Sequence, residues 1–435
     1  MKSVLLKYGR EGLEVQVPEN SDVYRPAWKA PLADEQAAIR HALIKPIGSP
    51  PLRDILLPHM RVVLVHTDLT RATPNTRLLP PILAEVLLAG VSPGRITLIN
   101  ALGSHRMQTD EEMTVLLGQD LLRYYRCVQH DAFDESSTAE IAKTGAGQSI
   151  RINRAFIEAD FRILTGFIEP HFFAGFSGGP KLVLPGLADL ETIQWNHRVE
   201  SIASPRATWG VTAGNPIWEE MRAVAKRFDP IFNVNVTLND AHRITGVFCG
   251  DLLASHAAGC EFVRKQCLFE VPAPYDLVVT TNGGYPLDQN LYQAVKGISA
   301  AAQITRPGGR ILMAAACEDG LPNHGAYARL LEQVTSPKNL MDSILHGAQS
   351  GQDLWQVQKQ AELQTQFDVS VFSDGLSSET IQKALYYPIC DINEEISQVV
   401  QKDPNVRIAV LPEGPQSIGC WLEKMNRASS GSEEM

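Results

Sequence analysis

The chain of 435 residues lacks several features that would assign it to a specialised class. No segment is apolar and uncharged for the roughly 18 residues that a membrane-spanning helix needs, and the opening MKSVLLKYGREGLEV has too short an apolar run for a secretory leader. Its seven cysteines, at 127, 249, 260, 267, 317, 390 and 420, form no Cys-x-x-Cys pair and are odd in number, so neither a disulfide framework nor a zinc ribbon is indicated. A reducing cytoplasm fits that usage. Basic residues are outnumbered, 39 against 49 acidic, and the formal net charge of -10 argues against nucleic acid or an anionic membrane as a main partner. Internal repeats and low-complexity tracts are missing as well, and only the tail from Arg427, with its Ser-Ser-Gly-Ser-Glu-Glu, has a composition expected to be disordered. These absences leave a globular protein of small-molecule chemistry.

Hydrophobic residues make up 44% of the chain and charged residues 20%, enough apolar material for substantial cores. At this length one core is too few, so the expectation is two α/β domains with mostly parallel sheets and an active site in the cleft between them. Arg61–Val65, Arg95–Ala101 and Phe161–Phe167 read as strands. They alternate with helices over Arg77–Gly90, its prolines placed in the first turn, and Asp110–Tyr125, opened by acidic residues. Phe232–Leu238 and Arg243–Phe248 flank Asn239-Asp-Ala-His242 as a hairpin, and Asp251–Cys267 reads as a helix that bridges the two halves. A second block holds strands at Tyr275–Thr281, Arg310–Ala316, Phe367–Phe372 and Val406–Leu411, with a helix over Leu287–Ala302. The expected domains are 1–270, carrying cofactor and catalytic histidines, and 271–425, contributing substrate-binding residues; 426–435 is a disordered tail.

In open α/β sheets ligands bind outside the carboxyl ends of strands, so the loops 66–76, 102–109 and 168–180 are where chemistry is expected. The first carries Thr67-Asp-Leu-Thr-Arg71, in which an arginine beside an aspartate can grip a carboxylate or simply cap a turn. The second carries Gly103-Ser-His-Arg106, whose His105 suits a general base or a loop hydrogen bond equally. The third runs Gly166-Phe-Ile-Glu-Pro-His-Phe-Phe-Ala-Gly-Phe-Ser-Gly-Gly-Pro-Lys181 and sets an imidazole and an amine on either side of a glycine-rich backbone. A fourth cluster, Asn290-Leu-Tyr-Gln-Ala-Val-Lys296, puts Gln293 and Lys296 three apart on one helical face. Two rival chemistries arise at the glycines. Gly175-Phe-Ser177-Gly-Gly179 matches a serine-hydrolase elbow, but its strand ends about eight residues too early for the strand-to-helix turn that motif requires. A phosphate-binding P-loop needs Ser or Thr after its lysine, where this chain has Leu182. A binding protein without turnover is a further alternative.

The segments DLTR (68–71), SHR (104–106) with DEE, FIEPHFFAGFSGGPK with LVLPG, WNH (195–197) and TTNGGYPLDQNLYQAVKG together resemble the nickel-pincer lactate racemase family over about residues 40–410. The resemblance implies an isomerase, a racemase or epimerase of a 2-hydroxy acid, that works with a nickel complex of a nicotinic acid-derived mononucleotide, the nickel-pincer nucleotide (nickel pyridinium-3-thioamide-5-thiocarboxylic acid mononucleotide), tethered to Lys181. Cofactor-biosynthesis enzymes are then partners. It implies His105 and His171 as two general acid/bases, since the enantiomers present their hydroxyls differently, and His197 as the protein ligand to nickel. Arg71 and Lys296 would fix the substrate carboxylate, Tyr292 and Gln293 would orient the substrate, and Asp68 would orient one of these groups. The amides of Ser177, Gly178 and Gly179 are expected to receive the cofactor phosphate, and Trp355 to line the site or pack in the core. Hydride removal avoids the poorly stabilised carbanion of simple proton abstraction at C2 and leaves a planar keto acid that loses configuration. Ser104, Ala72, Pro180 and Leu182 depart from the lactate enzymes, and the smaller wall at 104 implies room for a longer or hydroxylated acid.

Overall fold

The computed structural model describes residues 1–322, 325–332 and 334–421. The chain divides into two compact units, Trp28–Arg264 on one side of the division and Met1–Ala27 with Lys265–Met435 on the other.

In the unit of Trp28–Arg264, a six-stranded sheet runs in the order Ile244–Asp251, Ile231–Leu238, Phe161–Phe167, Val62–Thr67, Ile96–Ala101, Arg126–Gln129. Every pairing is parallel except that of the two strands at 231–251, which form the expected antiparallel hairpin. Val62–Leu64–Phe161–Ile163 and their neighbours pack on the Asn75–Leu88 helix through Leu78, Leu79, Ile82 and Val86, all essentially inaccessible to water. Burial on both faces explains why Val62–Val65 reads as an unbroken apolar run, while the equally buried Ile231–Leu238 carries Asn233, Asn235 and Thr237 at alternate positions.

The Asn75–Leu88 helix begins two residues earlier than its sequence suggests, so Pro80 and Pro81 lie in its second turn rather than its first. Pro81 has no N–H to give the Arg77 carbonyl four residues back, and the Gln36 side chain takes that acceptor at 2.9 Å. The expected helix from Asp110 to Tyr125 is two, Asp110–Leu117 and Gln119–Tyr124, parted at Gly118 with φ of 80°. A capping box between Thr109 and Glu112 fixes its start.

In the other unit a wholly parallel six-stranded sheet has the order Tyr387–Pro388, Asp368–Phe372, Thr305–Ala314, Tyr275–Thr281, Ile408–Leu411, Asp22–Val23. The last strand corrects the expected division of 1–270 from 271–425. Asp22–Val23 forms the edge of this sheet, and the hairpin Lys2–Leu6/Leu13–Val17 buries Val4, Leu6, Val15 and Val17 in a core with Leu277, Leu312 and Ile396. The first 27 residues therefore belong to the unit of the C-terminal half, and the division falls at Arg264/Lys265. The tail expected at 426–435 lies outside the described residues. Among the described residues no helix is long and apolar enough to cross a membrane, and none of the seven cysteines is in a disulfide.

Candidate functional site

In the Trp28–Arg264 unit, three parallel strands that lie side by side, 161–167, 62–67 and 96–101, end at the same sheet edge, and their following loops are tied to one another. The 62–67 strand hands over to Asp68, whose Oδ1 accepts from the backbone N–H and hydroxyl of Thr70, closing a short turn. Its Oδ2 accepts from Nδ1 of His105 at 2.6 Å, which joins this loop to the one after 96–101. Arg71, on the same turn, reaches Glu169 of the third loop at 3.9 Å. Gly103 donates its N–H to the carbonyl of Gly186 at 3.0 Å, and Gly186 in turn donates to the carbonyl of Lys181. The loops expected to converge thus do so through named bonds.

The Asp68–His105 contact has a defined electrostatic character. Asp68 is almost wholly buried, and burial alone favours its protonated form; the charge and hydrogen bond of His105, then Arg71 and Thr70, outweigh that and hold the carboxyl down to about 2. Whenever the ring is neutral, a carboxylate at Nδ1 keeps the proton there and puts the lone pair on Nε2; the side chain is 45% exposed.

His171 stands in a different setting. It lies in the two-residue strand Pro170–His171, which pairs with Gly175–Phe176, and the chain between them folds back so that the N–H groups of Phe173 and Ala174 both point at its Nδ1, each at 3.2 Å. The ring touches Phe172 and Phe173 and is buried.

Lys181 sits in the 3-10 turn Gly179–Leu182, and its amine is near enough to His197 to act on that ring electrostatically. His197 ends the Leu190–Asn196 helix, with Nδ1 donating to the Ile193 carbonyl at 3.1 Å. Burial first, then the positive Lys181, pushes the ring down to about 4 against the smaller pull of that hydrogen bond. A neutral imidazole whose Nδ1–H is tied to a backbone carbonyl presents Nε2 as a metal donor. Among the described residues no three His, Cys, Asp or Glu side chains gather to hold an ion by themselves, so further donors would have to come with the metal.

The glycine loop corrects one expectation. The Ser177 hydroxyl donates to the Phe167 carbonyl and accepts from the Glu169 N–H, both at 2.9 Å, while the Ser177 N–H is given to the Glu169 carbonyl. The Gly179 N–H donates to Oδ1 of Asn235 at 2.8 Å, and Nε2 of His256 donates to the Ser177 carbonyl at 2.9 Å. The amides of Ser177 and Gly179 therefore brace the loop instead of waiting for a phosphate. The buried Ser177 hydroxyl is committed to backbone groups, with no histidine base at its oxygen among the described residues, which removes the hydrolase alternative. Gly178 and Gly179 have φ of 78° and 52°; a Cβ would meet Asn235 Oδ1 at 2.7 Å at the first and the His256 ring at 2.6 Å at the second. Asn235, His256 and Glu169 were not singled out from sequence. An asparagine at the centre of a fully buried strand is the signal that marks the first of them.

The remaining expected residues belong to the other unit. Asn290 caps the Leu291–Ala301 helix, and Tyr292, Gln293 and Lys296 occupy its less buried face, with Lys296 Nζ donating to Gln293 Oε1 at 2.6 Å. Trp355 is buried, and its Nε1 reaches the Tyr292 hydroxyl at 3.4 Å, so it packs behind Tyr292.

The class of protein is one with a parallel α/β unit whose strand-end loops carry a histidine–carboxylate pair, followed by an amine at Lys181 and a buried imidazole at His197. Family models of the lactate racemase N-terminal domain and the lactate racemase C-terminal domain match residues 8–210 and 271–418. The lactate racemase of Thermoanaerobacterium thermosaccharolyticum is 34% identical over 424 residues, 95% of this chain and 98% of that protein. The lactate racemase of Lactiplantibacillus plantarum is 36% identical over 384 residues, 87% and 90% of the two chains. The solved structure of the lactate racemase apoprotein from T. thermosaccharolyticum superposes with a TM-score of 0.89 at 32% identity, covering 96% of this chain and all of that one. A Thermotoga maritima protein of 18% identity shares the fold, with a TM-score of 0.68. The chain belongs to the lactate racemase family and is an isomerase.

Proposed function

We propose that this protein racemises or epimerises a 2-hydroxy acid, lactate or a longer homologue, by reversible hydride transfer with the nickel-pincer nucleotide as cofactor. The observation that carries this reading is the placement of His197, a buried imidazole whose Nδ1–H is fixed on the Ile193 carbonyl, within electrostatic reach of the Lys181 amine. Those two side chains fit the group: Lys181 as its covalent tether, His197 Nε2 as the one protein donor to a metal whose other ligands the cofactor brings. When bound, the cofactor supplies a hydride acceptor for C2.

The protein's own residues do the rest. Nε2 of His105, backed by Asp68, takes the hydroxyl proton as C2–H leaves, and His171 addresses the same oxygen. Arg71 holds the carboxylate through its two-pronged face, with Glu169 as the group that occupies it otherwise. Lys296, Gln293 and Tyr292, on the Leu291–Ala301 helix, are the further residues proposed to bind the substrate. The enzyme acts in the cytoplasm and receives its cofactor from the enzymes that build it.

The test is intact-mass and metal analysis of protein made alongside those enzymes, with racemisation followed for lactate and for larger 2-hydroxy acids including aldonates. A mass adduct on Lys181, about one nickel per chain and turnover of one of these acids are expected. A loaded chain that turns over none of them would overturn the reading, and a clear optimum on lactate would remove the larger-substrate part of it.

A further inference from the structure

The Leu291–Ala301 helix, with Tyr292, Gln293 and Lys296, starts from the loop 282–290, and one buried side chain in that loop ties it to two other segments. Asp288 is inaccessible to water, and its Oδ2 accepts from the backbone N–H groups of Gly9 at 2.8 Å and Ala316 at 3.1 Å. Gly9 lies in the turn of the Lys2–Leu6/Leu13–Val17 hairpin, and Ala316 in the loop after the Thr305–Ala314 strand. We propose that Asp288 is a positioning residue for substrate binding: by pinning its loop to these two segments it sets where Tyr292, Gln293 and Lys296 stand. The role rests on the racemase reading and deepens it, since Asp288 acts through the helix and brings the first residues of the chain into substrate binding.

Backbone bonds on either side make the same connection. The Tyr285 N–H donates to the Gly9 carbonyl, the Cys317 N–H to the carbonyl of Asp288, and the Asp319 N–H to that of Gln289, each at 2.8 Å. The approach is close: a Cβ at Gly284 would meet the Gly9 carbonyl at 3.1 Å. Beyond Asp288 only Gln289 precedes Asn290, whose side chain caps the helix by accepting from the Gln293 N–H at 3.1 Å. At the start of the loop, Asn282 Oδ1 accepts from the Gly297 N–H at 3.0 Å, one residue past Lys296. The stretch that carries the three substrate residues is thus held at both ends by the loop, and the loop is held by Asp288. Alanine at 288 would leave two buried N–H groups without their acceptor, whereas asparagine keeps an oxygen for the same two donors. Arg10 lies 3.5 Å over the Tyr285 ring and 3.3 Å from Glu318, bridging the same segments from the exposed side, where such contacts contribute little.

The test has two arms, each on the full-length chain as D288A, D288N and R10A. In hydrogen exchange of the unloaded protein, peptides covering 5–12, 284–297 and 314–320 should exchange about 10-fold faster in D288A, those covering 161–190 should keep the parent rate, and D288N should stay close to the parent throughout. Unchanged exchange at 284–297 in D288A overturns the proposal. In protein made with the cofactor-building enzymes, D288A should keep its Lys181 adduct and nickel, and its KM for the 2-hydroxy acid should rise about 10-fold or more while kcat falls less than about 3-fold, the pattern of lost uniform binding. D288N should restore KM to within about 3-fold of the parent, and R10A should change neither constant by more than about 2-fold. A kcat loss at unchanged KM, or D288N as impaired as D288A, overturns the role. A D288A chain that fails to fold, or that loses adduct and nickel together, overturns it in favour of a general part in folding. A loaded parent without turnover would refute the racemase reading, while hydrogen exchange still decides whether Asp288 holds the helix.

Discussion

Replacing Asp68 by asparagine tests the electrostatics on which the site is built. The carboxyl is held at about 2 from an ordinary 3.8, a displacement of nearly two units, in a side chain only 3% exposed, so screening by water takes little from it. At about 1.36 kcal/mol per unit this amounts to about 2 kcal/mol of folding stability at neutral pH. The sign follows from the direction. A carboxyl depressed in the fold contributes fully above its unfolded value near 4 and loses that contribution as pH falls through about 2. The substituted amide resembles the protonated acid, so D68N should be about 2 kcal/mol less stable than the parent at pH 7, and about half of that gap should be gone by pH 3. Urea unfolding of both proteins at pH 7, 5, 4 and 3 measures it, with titrating groups remote from Asp68 cancelling in the difference and the H105Q and H105Q/D68N pair run alongside to separate the part that belongs to His105. A gap that stays constant with pH, or no gap at pH 7, would refute the account of Asp68. In the loaded enzyme the same substitution should lower kcat by about 10- to 100-fold through loss of His105 orientation.

Gly179→Ala should destabilise the fold by about 2–4 kcal/mol in thermal or urea unfolding, because its Cβ meets the His256 ring at 2.6 Å and its φ is 52°; Gly94, with nothing within 4 Å, should accept alanine almost without effect. A fluorophosphonate should leave Ser177 unlabelled by mass spectrometry, its hydroxyl being committed to Phe167 and Glu169; labelling would revive the hydrolase reading. His197→Ala in protein made with the cofactor-building enzymes should keep the mass adduct on Lys181 but lose most of its nickel, measured by elemental analysis; full nickel retention would remove His197 as the ligand.

Much of the fold was legible because parallel strands buried on both faces leave short apolar stretches such as Val62–Val65 and Leu277–Val279, and the 161–167 and 275–281 boundaries coincide with the sequence reading. The hairpin at 231–251 was legible from its turn residues. Helix starts were less so: Pro80 and Pro81 suggested a first turn, whereas both lie in the second, where the Gln36 side chain, distant in sequence, takes the Arg77 carbonyl that Pro81 leaves without a partner. The reach of the N-terminal 27 residues was illegible because Asp22–Val23 pairs with Ile408–Leu411, a contact spanning nearly the whole chain that leaves no local pattern.

By itself the sequence determined the α/β class, the three polar loops that follow the strands and the family, because strand periodicity and long motifs are local and survive without knowledge of distance. Only the tertiary structure decided what each group in those loops faces. It turned the Ser177 and Gly179 amides from phosphate ligands into braces in a loop held by Asn235 and His256, and it gave two similar-looking histidines opposite partners. A hydrogen bond is a property of direction as well as of residue type, and direction is set by where the backbone of another segment happens to point.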